Sequence, residues 1–158
     1  MKYIYILLTL LITFPVASHS QKKCNKYLEK KCDGYGDPFR FSGQSRNALF
    51  ELGQKSEFKL AVFGGFEYRV AICAEKNLKG IYFRIREDNT NKNILYDSSS
   101  EIEDFLEKMF FVEESKNLII EVIVPEGDEP KEEQDYSDRY GCMGVLIEYY
   151  RKNDSGFN

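Results

Sequence analysis

The stretch Glu57-Phe58-Lys59-Leu60-Ala61-Val62-Phe63-Gly64-Gly65-Phe66-Glu67-Tyr68-Arg69-Val70 decides the fold. Phe58, Leu60 and Val62 alternate with Lys59 and Ala61, the period of two that marks a half-buried strand. Beyond Gly64-Gly65 the alternation resumes. Phe66, Tyr68, Val70 and Ile72 take one face, and Glu67, Arg69, Ala71 and Cys73 take the other. Glycine reaches positive φ without a Cβ clash, so the pair predicts a two-residue hairpin turn between neighbouring strands.

The same period runs outward. Ile81, Phe83 and Ile85 alternate with Tyr82, Arg84 and Arg86, and a polar turn over 88–93 leads to a short strand at Ile94–Tyr96. Upstream, Ala48, Phe50 and Leu52 share one parity. Residues 98–109 read both ways, because Ile102, Phe105, Leu106 and Met109 fall at helical spacing while Phe110–Val112 is strand-like. Leu118–Val124 is an apolar run whose only charge is Glu121. Pro125 ends it, and it reads as a central strand. Met143–Tyr150 is the last strand, and the opposite parities of Tyr149 and Tyr150 predict one core and one surface ring. About eight short strands with turns every 8–12 residues predict a mostly β fold. The expected architecture is a two-sheet antiparallel β-sandwich, jelly-roll-like, over 39–152. A short helical or irregular arm at 21–38 precedes it, and a disordered tail at 153–158 follows.

The N-terminus reads as an export signal. Lys2 is followed by the uncharged apolar run Ile4–Phe14, then Pro15, then small residues suited to cleavage after Ser20. That run is far shorter than the roughly 20 residues a membrane-spanning helix needs. A predicted signal peptide at 1–20 therefore implies a secreted or periplasmic protein with no membrane span after cleavage. The four cysteines, Cys24, Cys32, Cys73 and Cys142, suit that compartment as two disulfides. Cys73 and Cys142 lie at predicted strand ends, so the expected pairs are Cys73 with Cys142 and Cys24 with Cys32. The second pair requires a bent segment. Along a continuous helix those Cα atoms would lie about 12 Å apart, beyond the roughly 7 Å limit for a disulfide. A helix there would tie Cys24 or Cys32 to the sandwich instead.

Net charge is −4, becoming −5 once Lys2 leaves with the signal peptide. With no basic cluster, the chain lacks what nucleic acid binding requires, namely cations to neutralise phosphates.

The segment Glu57–Val70, with its strand, glycine turn and Tyr-containing strand followed by an outer strand at Ile81–Ile85, resembles bacterial pre-peptidase C-terminal domains and GOLD-type sandwiches. Over the mature chain, and most clearly over Phe39–Tyr150, it is also similar to uncharacterised secreted proteins of Bacteroidetes. The resemblance implies a jelly-roll-like accessory or interaction module, and it brings no catalytic residues. The cysteine arm and the acidic loop lie outside the shared pattern.

The only histidine, His19, falls within the predicted signal peptide. Its loss removes Ser-His and Cys-His nucleophilic mechanisms and the usual histidine-containing zinc sites. No phosphate loop or dinucleotide fingerprint is present, and no cofactor is expected. Two candidate ligand sites are readable. Arg69, Tyr82, Arg84 and Arg86 could share one solvent face as a glycan or anion platform. The alternative pairs these arginines across strands with residues such as Glu67. In the acidic loop over 126–138, Asp128, Glu129 and Glu132 form a weak calcium candidate against the alternative of a solvated loop. The expected function is a non-catalytic interaction or structural module with a protein or glycan partner at the cell envelope. A carbohydrate-binding module using Tyr and Arg, and a small carboxylate-dependent hydrolase, are the alternatives.

Overall fold

A computed structural model describes residues 24–100, 106–127 and 136–152. Its strands are β1 (Arg40–Phe41), β2 (Arg46–Glu51), β3 (Lys55–Val62), β4 (Phe66–Ala74), β5 (Tyr82–Glu87), β6 (Ile94–Asp97), β7 (Glu107–Val112), β8 (Lys116–Ile123) and β9 (Tyr140–Arg151). They form two antiparallel sheets. The first sheet runs β1-β9-β4-β7, with β2 beside β1 on the same edge of β9, and the second runs β3-β8-β5-β6. The chain is a β-sandwich, as the alternation predicts.

The inward parities are the predicted ones. Leu60, Val62, Phe83, Ile85, Leu118, Ile120 and Val122 from the second sheet meet Tyr68, Val70, Ile72, Val145 and Ile147 from the first. Each such side chain, fully buried, contributes on the order of 1.5–3 kcal/mol, which is what holds the layers face to face.

The predicted hairpin, however, does not form. β3 pairs with β8, whereas β4 pairs with β7 and β9, so Gly64-Gly65 carries the chain from one sheet to the other. Parity gives the reason. A two-residue turn flanked by Phe63 and Phe66 would put Leu60 and Val62 on the same face as Arg69 and Glu67. The apolar faces of the two strands would then point in opposite directions. Crossing between sheets lets both face one core. The glycines serve that crossing: Gly65 has φ +80°, and a Cβ on Gly64 would lie 2.5 Å from the Glu113 carbonyl oxygen. The Gly65 N–H donates to the Val112 carbonyl at 2.8 Å, and the Phe63 N–H donates to Tyr68 Oη at 2.9 Å.

The segment 98–109, which reads both ways, is strand at its end: Met109 lies in β7, paired with Arg69 of β4. A short 3-10 turn occupies Ser98–Ser100, and Ile102 and Phe105 lie outside the described residues. In β9 the alternation disappears, because every residue from Gly141 to Glu148 is buried. The N-terminal arm covers its outer face. Here α1 (Tyr27–Lys31) lies on the first sheet with Leu28 buried beneath it.

The disulfides join Cys24 to Cys142 and Cys32 to Cys73, with Cα separations of 5.4 and 5.6 Å, correcting both expected pairs. α1 stands between Cys24 and Cys32 and keeps them apart. Cys73 pairs across the sheet with Gly144, so Cys142, two residues away, shares its outward face. The arm lies on that face, and each sulfur meets a partner from the arm. Gly144 makes room for it: a Cβ there would come within 2.8 Å of Cys32 Sγ and Leu28 Cδ2.

The open edge of β3 is closed by a side chain. Gln44 donates from Nε2 to the Ala61 carbonyl and accepts the Ala61 N–H at Oε1, each at 2.9 Å. These are the two bonds a neighbouring strand would make, which is one way to blunt an edge against stray pairing. The predicted signal peptide with His19, the calcium candidates Asp128, Glu129 and Glu132, and the tail at 153–158 lie outside the described residues. No helix among the described residues is long and apolar enough to cross a membrane.

Candidate functional site

The predicted arginine face is divided between two sheets. Arg69 lies on β4, while Tyr82, Arg84 and Arg86 lie on β5. Their outward parity was read correctly, but the crossing at Gly64-Gly65 sends them to opposite outer faces of the sandwich.

Arg69 is 8% exposed. Its Nε and Nη2 donate to Glu107 Oε2 at 3.0 and 2.5 Å, and Nη1 donates to Glu148 Oε2 at 2.6 Å. The arm closes over it. Asp33 offers its carbonyl to Nη1 at 3.4 Å, the Tyr35 N–H donates to the Glu148 carboxylate at 3.2 Å, and the Tyr35 ring lies 5.5 Å from the guanidinium. Burial alone would lower the affinity of Arg69 for its proton, but the Glu107 and Glu148 carboxylates outweigh it and raise the pKa. A buried charge of this kind is tolerable only with such partners.

On the second sheet Glu121 is the centre, only 5% exposed although it faces outward. Lys55 reaches it at 2.7 Å and Arg84 at 3.3 Å, while Arg84 also holds Asp97 at 2.7 Å and Arg86 holds Glu57 at 2.5 Å. Burial pushes the Glu121 carboxyl up, but Lys55 and Arg84 bring it below its ordinary value. Asp97 is also lowered, because the Ser99 hydroxyl and N–H and Arg84 together outweigh its burial. Lys55, Arg84 and Arg86 thus face Glu57, Asp97 and Glu121 in a self-neutralising lattice. The cross-strand alternative holds, although Glu67 is not the partner. Glu67 instead accepts the Tyr150 hydroxyl at 2.6 Å.

What the sequence reading missed is aromatic. Tyr35, Phe41, Phe63 and Phe111 are 46–58% exposed. Register brings them to one end of the sandwich. Phe41 lies opposite Glu148 in the row that holds Arg69 and Met109, and Phe111 lies in the next row with Glu67 and Tyr150. Phe63 abuts the turn that packs on Glu113. Tyr35, Phe39 and Tyr150 form a chain of rings with centroids 5.1 and 4.8 Å apart, turned edge to face at 70° and 76°. The available signal was an off-parity aromatic: Phe111 takes an outward position in β7, where Phe110 and Val112 already fill the inward ones, whereas the two-residue β1 gives no such count for Phe41.

The four cysteines are paired. Among the described residues no group of three or more His, Cys, Asp or Glu side chains is placed to hold a metal ion. The carboxylates of Glu107 and Glu148 are engaged by Arg69. Beside them lies a hollow of about 260 Å³, lined in part by Lys31, Cys32, Asp33, Arg69, Cys73 and Glu107.

No protein-family model and no curated protein matches the chain. Among solved structures it is similar to the periplasmic g-type lysozyme inhibitor PliG of Aeromonas hydrophila. That overlap has 10% identity and a TM-score of 0.47, covering 75% of this chain and 93% of that one. The PliG of Salmonella Typhimurium overlaps at 11% identity and a TM-score of 0.39, covering 67% of this chain and 89% of that one. Overlaps this loose define no family for the chain. The two disulfides belong to an oxidising compartment, so the protein is secreted or periplasmic.

Proposed function

We propose that this chain is an exported, non-catalytic β-sandwich that binds a protein partner through the aromatic end of its arm-bearing face. The observation that carries this is the exposure of Tyr35, Phe41, Phe63 and Phe111 at one end, while Arg69, Arg84 and Arg86 are tied in ion pairs. Exposed aromatic side chains are the usual anchors of protein interfaces. The edge-to-face turning of Tyr35, Phe39 and Tyr150 offers ridges and notches for partner side chains and no flat platform for sugar rings. The carbohydrate alternative rests on the second sheet, where Arg84 lies 5.3 Å from the Tyr82 ring. Its guanidinium is already held by Asp97 and Glu121, which leaves less for a ligand.

The test is site-directed photocrosslinking in the exporting cell, with a photoreactive residue at Phe111 or, as control, at Lys59 on the other sheet. A discrete protein adduct from position 111 alone supports the proposal. With the purified partner, Phe41→Ser should then weaken binding about 10- to 100-fold, the range of an anchor residue. Equal adducts from both positions, or none, would reject the surface. Retention on polysaccharide that falls with Tyr82→Ala would favour the sugar reading. Purified g-type lysozyme, the enzyme named for both structural neighbours, is one protein to include.

A further inference from the structure

The two disulfides lie side by side on one sheet face, yet their surroundings differ. Cys24 and Cys142 are 3% and 1% exposed. Cys32 and Cys73 are only half-buried, and both line the hollow of about 260 Å³ beside Lys31. Thiol–disulfide exchange requires a thiolate to reach a sulfur, so access decides which bond reacts. From the structure we infer that Cys32–Cys73 is a thiol–disulfide exchange site, opened by an external dithiol through this hollow, while Cys24–Cys142 stays closed.

The chemistry is a two-electron exchange. A dithiol's thiolate attacks one sulfur of Cys32–Cys73, breaking that bond and forming a mixed disulfide. Its second thiol then displaces the protein sulfur. The dithiol leaves oxidised, and Cys32 and Cys73 each hold a thiol, having gained two electrons and two protons between them.

The consequence follows from what lies on either side of Cys32. Toward the N-terminus, Cys24–Cys142 and buried Leu28 keep the start of α1 in place. Toward the C-terminus, the Asp33 carbonyl accepts from Arg69 at 3.4 Å, and the Tyr35 N–H is shared between the two Glu148 carboxylate oxygens at 3.2 Å each. With the bridge open, what ties residues 33–38 to the sheet is these bonds, ring packing and the strand that begins at Arg40. The backbone bonds from the Lys30 N–H to Lys26, the Cys32 N–H to Leu28 and the Phe39 N–H to Gly36 are local to the arm. The segment includes Tyr35, so exchange would also reshape one end of the proposed docking surface. The exchange site itself stands without that surface.

The experiment is a dithiothreitol titration of the whole oxidised protein, with acid quench, alkylation and peptide mapping. Alkylation of Cys32 and Cys73 at reductant concentrations at least 10-fold below those needed for Cys24 and Cys142 is the expected result. Simultaneous opening, or earlier loss of Cys24–Cys142, overturns the site. Release of the arm is read by trypsin at Lys30 and Lys31. Cleavage there should quicken at least 10-fold in the selectively reduced protein and in a Cys32→Ser/Cys73→Ser variant left unreduced. Unchanged cleavage in the selectively reduced wild type overturns the release even where the variant folds poorly.

Discussion

The two outer faces of the sandwich start from the same sequence device and end as different surfaces. Each presents arginines at outward strand positions beside acids on neighbouring strands. On the first sheet the arm lies over Arg69, closes it from water and leaves it between Glu107 and Glu148. On the second sheet the Arg84 side chain stays 30% exposed, and with the more buried Arg86 it spreads into a lattice around Glu121. The lesson concerns dielectric. An ion pair under a covering segment loses its water and becomes costly to break, whereas an uncovered one can exchange its partner for solvent.

The contrast can be broken most severely at the arm. Replacing Cys24 and Cys142 together by serine opens a link across 118 residues and should cost about 5 kcal/mol on loop entropy. The Cys32 and Cys73 pair spans 41 and should cost about 4 kcal/mol on the same basis. Urea unfolding of both variants measures the order. Arg69→Ala should cost about 3–5 kcal/mol, since it strands Glu148 as a buried charge. On the second sheet Arg84 is more exposed and its partner Glu121 keeps Lys55, so Arg84→Ala should cost only about 1 kcal/mol. Equal losses for the two arginines would show that the arm does not dry its side of the sheet.

Acid sharpens the comparison from the other face. Folding lowers the Glu121 and Asp97 carboxyls from ordinary values of 4.5 and 3.8. Both groups therefore bind a proton less readily folded than unfolded. Their contribution is present above those ordinary values and is lost as pH falls through the lowered ones. Thermal melts from pH 6 to pH 2 should show a decline that is shallower in Glu121→Gln and Asp97→Asn. The smallest effect belongs to Lys59, whose ion pair with Asp88 is well exposed at 72% for the lysine. Lys59→Ala should move stability by less than about 0.5 kcal/mol.

Much of the fold was legible because inward and outward positions are set locally. Leu60, Val62, Val70, Phe83 and Ile85 all face the core as their alternation predicts. The hairpin failed on information that was present and unused: a two-residue turn pairs even with odd positions, and both apolar sets here are even. For the candidate site, the alternation showed that Arg69, Arg84 and Arg86 point outward but not that they point away from each other. The exposed aromatic end was harder to see. Phe111 looks like a core residue until Phe110 and Val112 are counted as filling the inward positions of its strand, and the two-residue strand of Phe41 offers no alternation to read.

By itself, then, the sequence determined the sandwich, its inward faces and the oxidised state of its cysteines, because a period of two and a redox compartment do not depend on partners. Which strands share a sheet, which sulfurs meet, and whether an arginine is covered were decided only by the tertiary structure. Those are contacts between residues far apart along the chain. The pairing of β3 with β8 and of Cys24 with Cys142 exists only once the two layers close and the arm comes to rest on β9.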